Sequence, residues 1–460
     1  MSVTPFCAVD PATGVEGVTV ELASAQELDD RLVRAGLAFR AWSVAPLPQR
    51  VALLDRVAAL LRARADELAL LMANEVGKPL HEGRAEALKC AWLCEWCAQN
   101  AAELLAPHPT PSDASRSEVR AEPLGVVFGV MPWNFPFWQV FRYAAPSLAI
   151  GNGVLVKPAP SAPGCALALQ ALFDDAGAPA GLVQHLFIDV AAPGVLDRVV
   201  AHPAVAAVTV TGSERAGRAV AQAAGAALKK VVLELGGSDP VIVLDDADLA
   251  RAATTAAASR CLNAGQSCIA AKRFIVHERC KDDFLPMLQR ALAIQVVGDP
   301  RTPGTTVGPL ARQDLRAALH AQVQASVQAG ATAVLGGQIP DVPGWFYPVT
   351  LLVDLSSDMP VWREETFGPV AAVRFARDDD HALELANDTR YGLGAAVWTS
   401  SADRAERFAR ELRTGGVFVN GMVKSDPRLP FGGVGLSGFG RELGREGFYE
   451  LANVKTVWMA

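Results

Sequence analysis

Between residues 126 and 233, short apolar runs alternate with alanine-rich stretches of helical length. The runs at 126–130, 153–156, 182–187, 205–209 and 231–233 read as strands. Strands that alternate with helices predict a doubly wound α/β domain. A second alternation follows, with strand candidates at 241–244, 273–276, 371–375 and 394–398. Before both, residues 24–106 read as helical. Pro46 and Pro48 break this region once, and Gly77-Lys78-Pro79 ends a further segment. A turn-rich connector occupies 107–113. The end of the chain is glycine-rich over 431–440 and finishes in a β-like run near 455–458. There is no internal repeat.

A chain of 460 residues is long enough for two or three such domains. Its 51% hydrophobic and 20% charged content excludes a disordered chain. A net charge of -7 leaves no electrostatic footprint for nucleic acid. The stretch Met1 to Phe6 lacks the basic and apolar regions of a leader peptide. Residues 124–141 are almost uncharged, but Pro132, Asn134 and Pro136 interrupt them and Arg142 follows. They read as a buried strand, a functional loop and a helix, not a membrane span. Eight unevenly spread cysteines without an export signal point to reduced thiols in a cytoplasm.

Three segments carry chemistry. Asn263-Ala264-Gly265-Gln266-Ser267-Cys268 presents a cysteine after small and polar residues, and Leu233-Glu234-Leu235-Gly236-Gly237 a carboxylate before two glycines. Pro132-Trp133-Asn134-Phe135-Pro136 holds a carboxamide between two prolines that stiffen the backbone. A thiolate, a carboxylate and a carboxamide suffice to attack a carbonyl, hold its oxyanion and hydrolyse the acyl product. Cys268 is the candidate nucleophile. Gly265 permits a tight turn before it, and a helix starting nearby would lower its pKa; otherwise it is a packed cysteine. Desolvation at the end of an apolar run would make Glu234 a base, or it is an ordinary strand-end glutamate. Asn134, with the backbone N–H of Cys268, would donate to an oxyanion, or it bonds its own loop.

Further segments occur in the same order: Lys157-Pro158-Ala159, Thr211-Gly212-Ser213, Glu364 to Pro369, Pro430-Phe431-Gly432-Gly433 and Gly438 to Gly444. Together these motifs resemble the aldehyde dehydrogenase superfamily over nearly the whole chain, most closely its NAD(P)-dependent succinate-semialdehyde branch. The resemblance implies a doubly wound cofactor domain (1–115 and 131–233), an α/β catalytic domain (234–428) and a β oligomerisation arm (116–130 and 429–460). A homodimer or a dimer of dimers is expected. By the same match, Cys268 forms a thiohemiacetal and then a thioester, with Asn134 on the oxyanion. Glu234 activates the hydrolytic water, and Glu442 either assists proton transfer or serves a subunit contact.

The chain has no clean Gly-x-Gly-x-x-Gly loop. The family's glycine-bounded turn is matched by Gly212, Ser213 and Gly217, leading into a helix whose N–H groups would face a pyrophosphate. Lys157 would contact the adenosine ribose, Glu365 and Phe367 the nicotinamide ribose and ring, and Trp133 the same pocket. NAD-preferring members often carry a glutamate three residues after this lysine. Here Pro160 neither binds ribose hydroxyls nor repels a phosphate, so the cofactor is NADP or NAD with NADP favoured.

Trp138 and Arg142 are four residues apart on a predicted helix and share a face toward the aldehyde. The succinate-semialdehyde branch has an arginine matching Arg142, which suits a substrate carboxylate, and a serine matching Ser425. A domain-interface ion pair is the alternative for Arg142. Leu262 stands where some members have a second arginine, so the pocket holds fewer charges. Succinate semialdehyde leads; glutarate semialdehyde or another small aldehyde is the alternative, since a methylene discriminates by only about 1–3 kcal/mol.

No metal is expected. Cys90, Cys94 and Cys97 have the spacing of an iron–sulfur radical enzyme, but offsets of zero, four and seven place them on one helical stripe, where small packing residues belong. A catalytically silent relative would need none of Asn134, Glu234 and Cys268. Cys261 is either a redox neighbour of the nucleophile or packed.

Overall fold

Each of the two alternating regions folds into its own parallel sheet in the computed structural model, which describes residues 4–460. Met1, Ser2 and Val3, the start of the stretch read above for a leader, lie outside the described residues. The first sheet runs in the order Gly438–Phe439, Lys230–Glu234, Val205–Thr211, Val126–Val130, Gly153–Lys157, Val183–His185. Only its two-residue edge strand is antiparallel. The chain builds outward from Val126–Val130 on one side, then returns to place Val205–Thr211 on the other. This reversal is a topological switch point, and the crevice beyond the carboxyl ends of the strands is where such sheets bind ligands. Two of the expected cofactor segments leave from those ends: Pro132-Trp133 follows Val126–Val130, and Gly212-Ser213 follows Val205–Thr211.

The second sheet has seven strands, in the order Thr332–Leu335, Thr350–Val353, Val370–Ala376, Arg273–His277, Pro240–Val243, Gly394–Trp398, Gly416–Val419. Its Thr332–Leu335 edge alone is antiparallel. A third sheet of three antiparallel strands joins Arg116–Pro123 to Ala452–Met459 and His108–Pro109, with Arg120 opposite Lys455.

The arm expected over 116–130 therefore divides. Arg116–Pro123 alternates charged and small residues and is half-exposed, whereas Val126–Val130 is apolar, buried throughout and central in the first sheet. Of the segment 429–460, Gly438–Phe439 likewise joins the first sheet, beside Glu234. The strands Phe6–Val9, Glu16–Val20, Thr332–Leu335, Thr350–Val353 and Gly416–Val419 were not anticipated; each is only four or five residues long.

The N-terminal helices are Ala25–Ser43, Leu47–Ala63, Ala65–Val76 and Leu80–Leu104. Ser24 and Glu27 form a reciprocal capping box on the first. Pro48 lies in the first turn of the second, where its missing N–H costs nothing. Leu80–Leu104 packs against the two helices before it and against Trp138–Ile150, which is buried along its whole length. Cys90, Cys94 and Cys97 are buried in that packing with Leu53, Leu54 and Phe141. Burial raises all three thiols, so they stay protonated. Among the described residues, no helix is long and apolar enough to cross a membrane, and no group of three or more His, Cys, Asp or Glu is arranged to hold a metal ion.

Candidate active site

Cys268 stands after a tight turn that ends the helix Leu249–Cys261. Asn263, Ala264 and Gly265 follow one another at φ of 52°, 53° and 73°. Two of these are not glycine, and left-handed backbone of that kind persists only when its surroundings enforce it. Here they do. Glu82 accepts from the Asn263 N–H at 2.9 Å, Asn263 Nδ2 donates to the Asn134 carbonyl at 2.9 Å, and Arg260 Nη2 donates to the Gly265 carbonyl at 2.6 Å. Lys272, fully buried, donates to the carbonyls of Ser267 and Cys268 at 2.9 and 2.7 Å and pairs with Glu365 at 3.4 Å. The backbone of the half-buried Cys268 is thus fixed.

The helix expected to lower the thiol's pKa is not there. The preceding helix ends before the turn, and residues 266–272 form no helix. Burial pushes the Cys268 thiol up to about 12, against the charges of Arg142 and Lys272. In the ligand-free site Cys268 is a thiol.

Glu234 ends its strand with its carboxyl buried and both oxygens without a hydrogen-bond partner. Gly432 lies against it: a Cβ there would come within 2.7 Å of Glu234 Oε1. Burial raises this carboxyl well above the usual range, and the charge of Glu442 raises it further; Arg142 and Arg441 act in the opposite direction. Glu442 faces Arg142, Nε to Oε2, at 2.7 Å, with both side chains nearly inaccessible. Thr209 donates to Glu442 at 3.4 Å, and Arg142 Nη2 donates to Thr211 at 3.1 Å. Glu442 is also raised by burial and held down by Arg142. The carboxylate in contact with the guanidinium keeps its charge, and the neighbour without a partner keeps its proton.

Asn134 is buried. Its Nδ2 donates to the Gln266 carbonyl at 3.0 Å, and its Oδ1 has no partner. The amide thus bonds the turn before Cys268 and not its own loop, and one of its two N–H bonds remains.

A cavity of about 500 Å³ opens at Cys268 and is lined also by Trp138, Arg142, Ser425, Leu262 and Lys89. It brings Cys268 together with the three expected substrate residues; Asn134 and Glu234 are not in its wall. Ser425 Oγ accepts from Trp138 Nε1 at 3.0 Å. The guanidinium of Arg142 touches the cavity but is engaged by Glu442 and Thr211, the ion-pair alternative described above. Cys261 is buried and shares the lining, with its thiol raised to about 12 by burial.

Sequence reasoning missed Lys89, Glu82, Glu86 and Lys272. Glu86 accepts from the backbone N–H groups of Phe137 and Trp138, both at 3.0 Å, and so caps the helix carrying Arg142; Lys78 is its ion-pair partner. The available signal was spacing: Glu82, Glu86 and Lys89 sit at offsets of zero, four and seven, which share one helix face.

The expected cofactor residues gather at the switch point. Trp133 and Phe367 meet edge to face, centroids 5.9 Å apart. Glu365 accepts from the Gly237 N–H at 3.0 Å. Ser213 caps the helix Glu214–Ala226, and Gly217 lets that helix approach Leu235, which a Cβ would meet at 2.6 Å. A Cβ at Gly212 would meet Ala216 of that helix at 3.8 Å. Lys157 is buried without an ion-pair partner among the described residues; desolvation lowers it to about 8, with Asp189 opposing. Ser161 Oγ, next to the exposed Pro160, is buried and unpartnered. Unspent donors at a strand end beside a helix N-terminus suit the phosphates and ribose hydroxyls of a dinucleotide.

The sequence pattern of the Aldehyde dehydrogenase family matches residues 2–457. A Synechocystis protein called probable succinate-semialdehyde dehydrogenase [NADP(+)] is 46% identical over 98% of this chain and 99% of its own length. The Escherichia coli succinate semialdehyde dehydrogenase [NAD(P)+] Sad is 44% identical over 100% and 99%. The crystal structure of the Streptococcus pyogenes succinic semialdehyde dehydrogenase with NADP+ superposes with a TM-score of 0.96 at 36% identity, covering 99% of each chain.

Proposed function

The chain belongs to the aldehyde dehydrogenase family, and we propose that it oxidises succinate semialdehyde to succinate with NADP or NAD. The observation that carries this reading is one cavity shared by the Cys268 thiol and a cationic and hydroxyl cluster formed by Lys89, Ser425 and Trp138. Such a wall suits an aldehyde bearing a carboxylate, and the relatives named above are called dehydrogenases of that aldehyde.

In this reading Cys268 gives up its thiol proton to solvent, and its sulfur adds to the aldehyde carbon to give a thiohemiacetal. Its oxyanion accepts from Asn134 Nδ2 and the Cys268 N–H. Lys157, Ser213, Glu365 and Phe367, with Trp133 beside them, would hold NAD(P), which when bound would supply the hydride acceptor. A thioester remains on Cys268. Glu234, once its proton has gone to solvent, takes one from water; hydroxide attack on the thioester releases the acid and a Cys268 thiolate, which takes that proton back to restore the thiol. Glu442 and Arg142 set the charge that Glu234 feels.

The absence of a carboxylate at Pro160, together with the unspent donors of Lys157 and Ser161, supports NADP as the better cofactor. The first sheet with its helices is the cofactor domain, the second the catalytic domain, and the three-stranded sheet the oligomerisation arm. The exposed Val454, Trp458 and Met459 on Ala452–Met459 support a homodimer or a dimer of dimers. The eight cysteines, all free, support a cytoplasmic location.

The test is cofactor reduction with succinate semialdehyde, glutarate semialdehyde and butanal, each with NAD and NADP. Strong preference for the acidic aldehydes is expected. Equal use of butanal refutes the substrate, and NADP poorer than NAD by about tenfold in kcat/KM, or 1.4 kcal/mol, refutes the cofactor argument. The cavity has room for glutarate semialdehyde, so a lead of the longer aldehyde would move the assignment by one methylene.

A further inference from the structure

Lys272 is fully buried at the start of the strand Arg273–His277, where its backbone N–H donates to the Asp239 carbonyl at 3.1 Å. Its side chain turns back to the segment that carries Cys268. Two donors go to the carbonyls of Ser267 and Cys268, at 2.9 and 2.7 Å, and the third faces Glu365 Oε1 at 3.4 Å. A neutral amine has two hydrogens and a lone pair, and here that lone pair would point at an oxygen. Three oxygens around one nitrogen therefore specify the ammonium.

The turn has other fasteners. Glu82 accepts from the Asn263 N–H and Arg260 donates to the Gly265 carbonyl, both upstream of the nucleophile. Among the described residues, Lys272 is the one whose side chain holds the backbone of Cys268 itself. A neutral donor would serve a carbonyl at a lower desolvation cost than a buried cation, so holding the backbone does not account for the charge. The charge acts on the sulfur. Two cations favour the Cys268 thiolate, Arg142 and Lys272, while Glu365 and Glu234 oppose it. Arg142 is balanced by Glu442 at 2.7 Å, with both side chains nearly inaccessible. Lys272 is balanced by Glu365 at a longer distance, and the Glu365 side chain keeps 21% of its surface exposed.

We propose that Lys272 is a positioning residue for the nucleophile: its ammonium fixes the Cys268 carbonyl and supplies positive potential at the sulfur, and Glu365 sets how much of that potential the sulfur receives. This rests on Cys268 as the nucleophile. The ammonium is held by three oxygens before any reaction begins, so its field is available to the forming anion without reorganisation.

The groups facing Lys272 are Glu365 of the segment 364–369, Asp239 at the start of Pro240–Val243, Arg260 of Leu249–Cys261 and Cys268. Burial brings the ammonium below its ordinary value; Glu365, Asp239 and Cys268 support its charge, and Arg260 opposes it.

The experiment labels Cys268 in the ligand-free protein with iodoacetate, an anion, and with iodoacetamide, its neutral counterpart. Each rate is read as the labelling absent from Cys268→Ala. Both reagents meet the same sulfur with the same ionisation, so the ratio of the two rates reports the potential there, and a purely structural change cancels. The other cations of the cavity are the same in every variant. Removing one charge near the sulfur should lower the iodoacetate-to-iodoacetamide ratio about tenfold in Lys272→Met, with recovery in Lys272→Arg. A ratio in Lys272→Met within about twofold of wild type is smaller than a charge at this range produces and overturns the proposal. Should the lysine variants not fold, Glu365→Gln decides, since that side chain is partly exposed. Losing its charge should raise the ratio, and an unchanged or lower ratio overturns the proposal. If Cys268→Ala still oxidises aldehydes, the nucleophile assignment and this proposal fall together; if the ratio alone fails to move, only this proposal does.

Discussion

Replacing Arg142 by methionine should reveal what that residue does. The pair it forms with Glu442 spans 2.7 Å, with both side chains nearly inaccessible. At an effective dielectric of about 20, the attraction is about 6 kcal/mol before desolvation. Removing one partner of such a pair typically costs about 3–5 kcal/mol, because a bare charge stays buried. Glu442 escapes by taking a proton. Its folded pKa is already raised above the ordinary value by burial, and Arg142 holds it down; without the guanidinium it rises further. A carboxyl with a raised folded pKa binds more protons folded than unfolded, so stability falls as pH rises from the unfolded value to the folded one. The variant extends that window upward. Its penalty should be small near pH 5 and grow by about 1.4 kcal/mol per pH unit, reaching about 3–5 kcal/mol near pH 8. Urea unfolding at both pH values and at matched protein concentration measures it. A penalty independent of pH would refute the argument, as would one that persists with its slope in Arg142→Met/Glu442→Gln. Turnover of acidic and neutral aldehydes should fall together, since Glu234 also loses the charge that held its carboxyl down.

Glu234→Gln should slow thioester hydrolysis more than hydride transfer, giving a burst of reduced cofactor before a slow steady state; equal slowing of both phases would count against a base at this position. Because burial pushes the Cys268 thiol up to about 12, its alkylation in ligand-free protein should accelerate about tenfold per pH unit from neutrality to roughly pH 9. The rate is read as the labelling absent from Cys268→Ala. A plateau near neutrality would show a thiolate that the ligand-free geometry does not stabilise.

Local pattern made the sheets legible where strands were buried and apolar. Val126–Val130 and Arg273–His277 are buried five-residue runs, the first bounded by Gly125 and Pro132 and the second followed by a helical turn, so pattern and punctuation agree. Thr332–Leu335 and Gly416–Val419 lie at the edges of the second sheet; both are apolar but only four residues long, too short for period to mark a strand, so pairing alone defines them. The same limit explains why the arm's boundary shifted: Gly125 separates a charged strand from an apolar one, and only their partners reveal that they belong to different sheets.

The site follows the same division. Cys268, Glu234 and Asn134 were legible because each sits in a short motif whose backbone must turn in a fixed way. What surrounds them was not, because the surrounding charges come from helices whose rotation the sequence leaves open. Helix Leu80–Leu104 carries two stripes of spacing zero, four and seven. One, Cys90, Cys94 and Cys97, faces the core; the other, Glu82, Glu86 and Lys89, reaches the catalytic turn, the helix cap and the cavity. Glu86 caps the helix that holds Arg142, and Arg142 is thereby presented to Glu442. The residue that looked like a substrate clamp is thus committed to a carboxylate supplied 300 positions later, while two other cations of the same wall, Lys89 on the capping helix and the exposed Lys424, form no ion pair among the described residues. Reading that exchange requires the charge balance of the whole cavity wall, since an unpaired cation is defined only by the absence of every other partner.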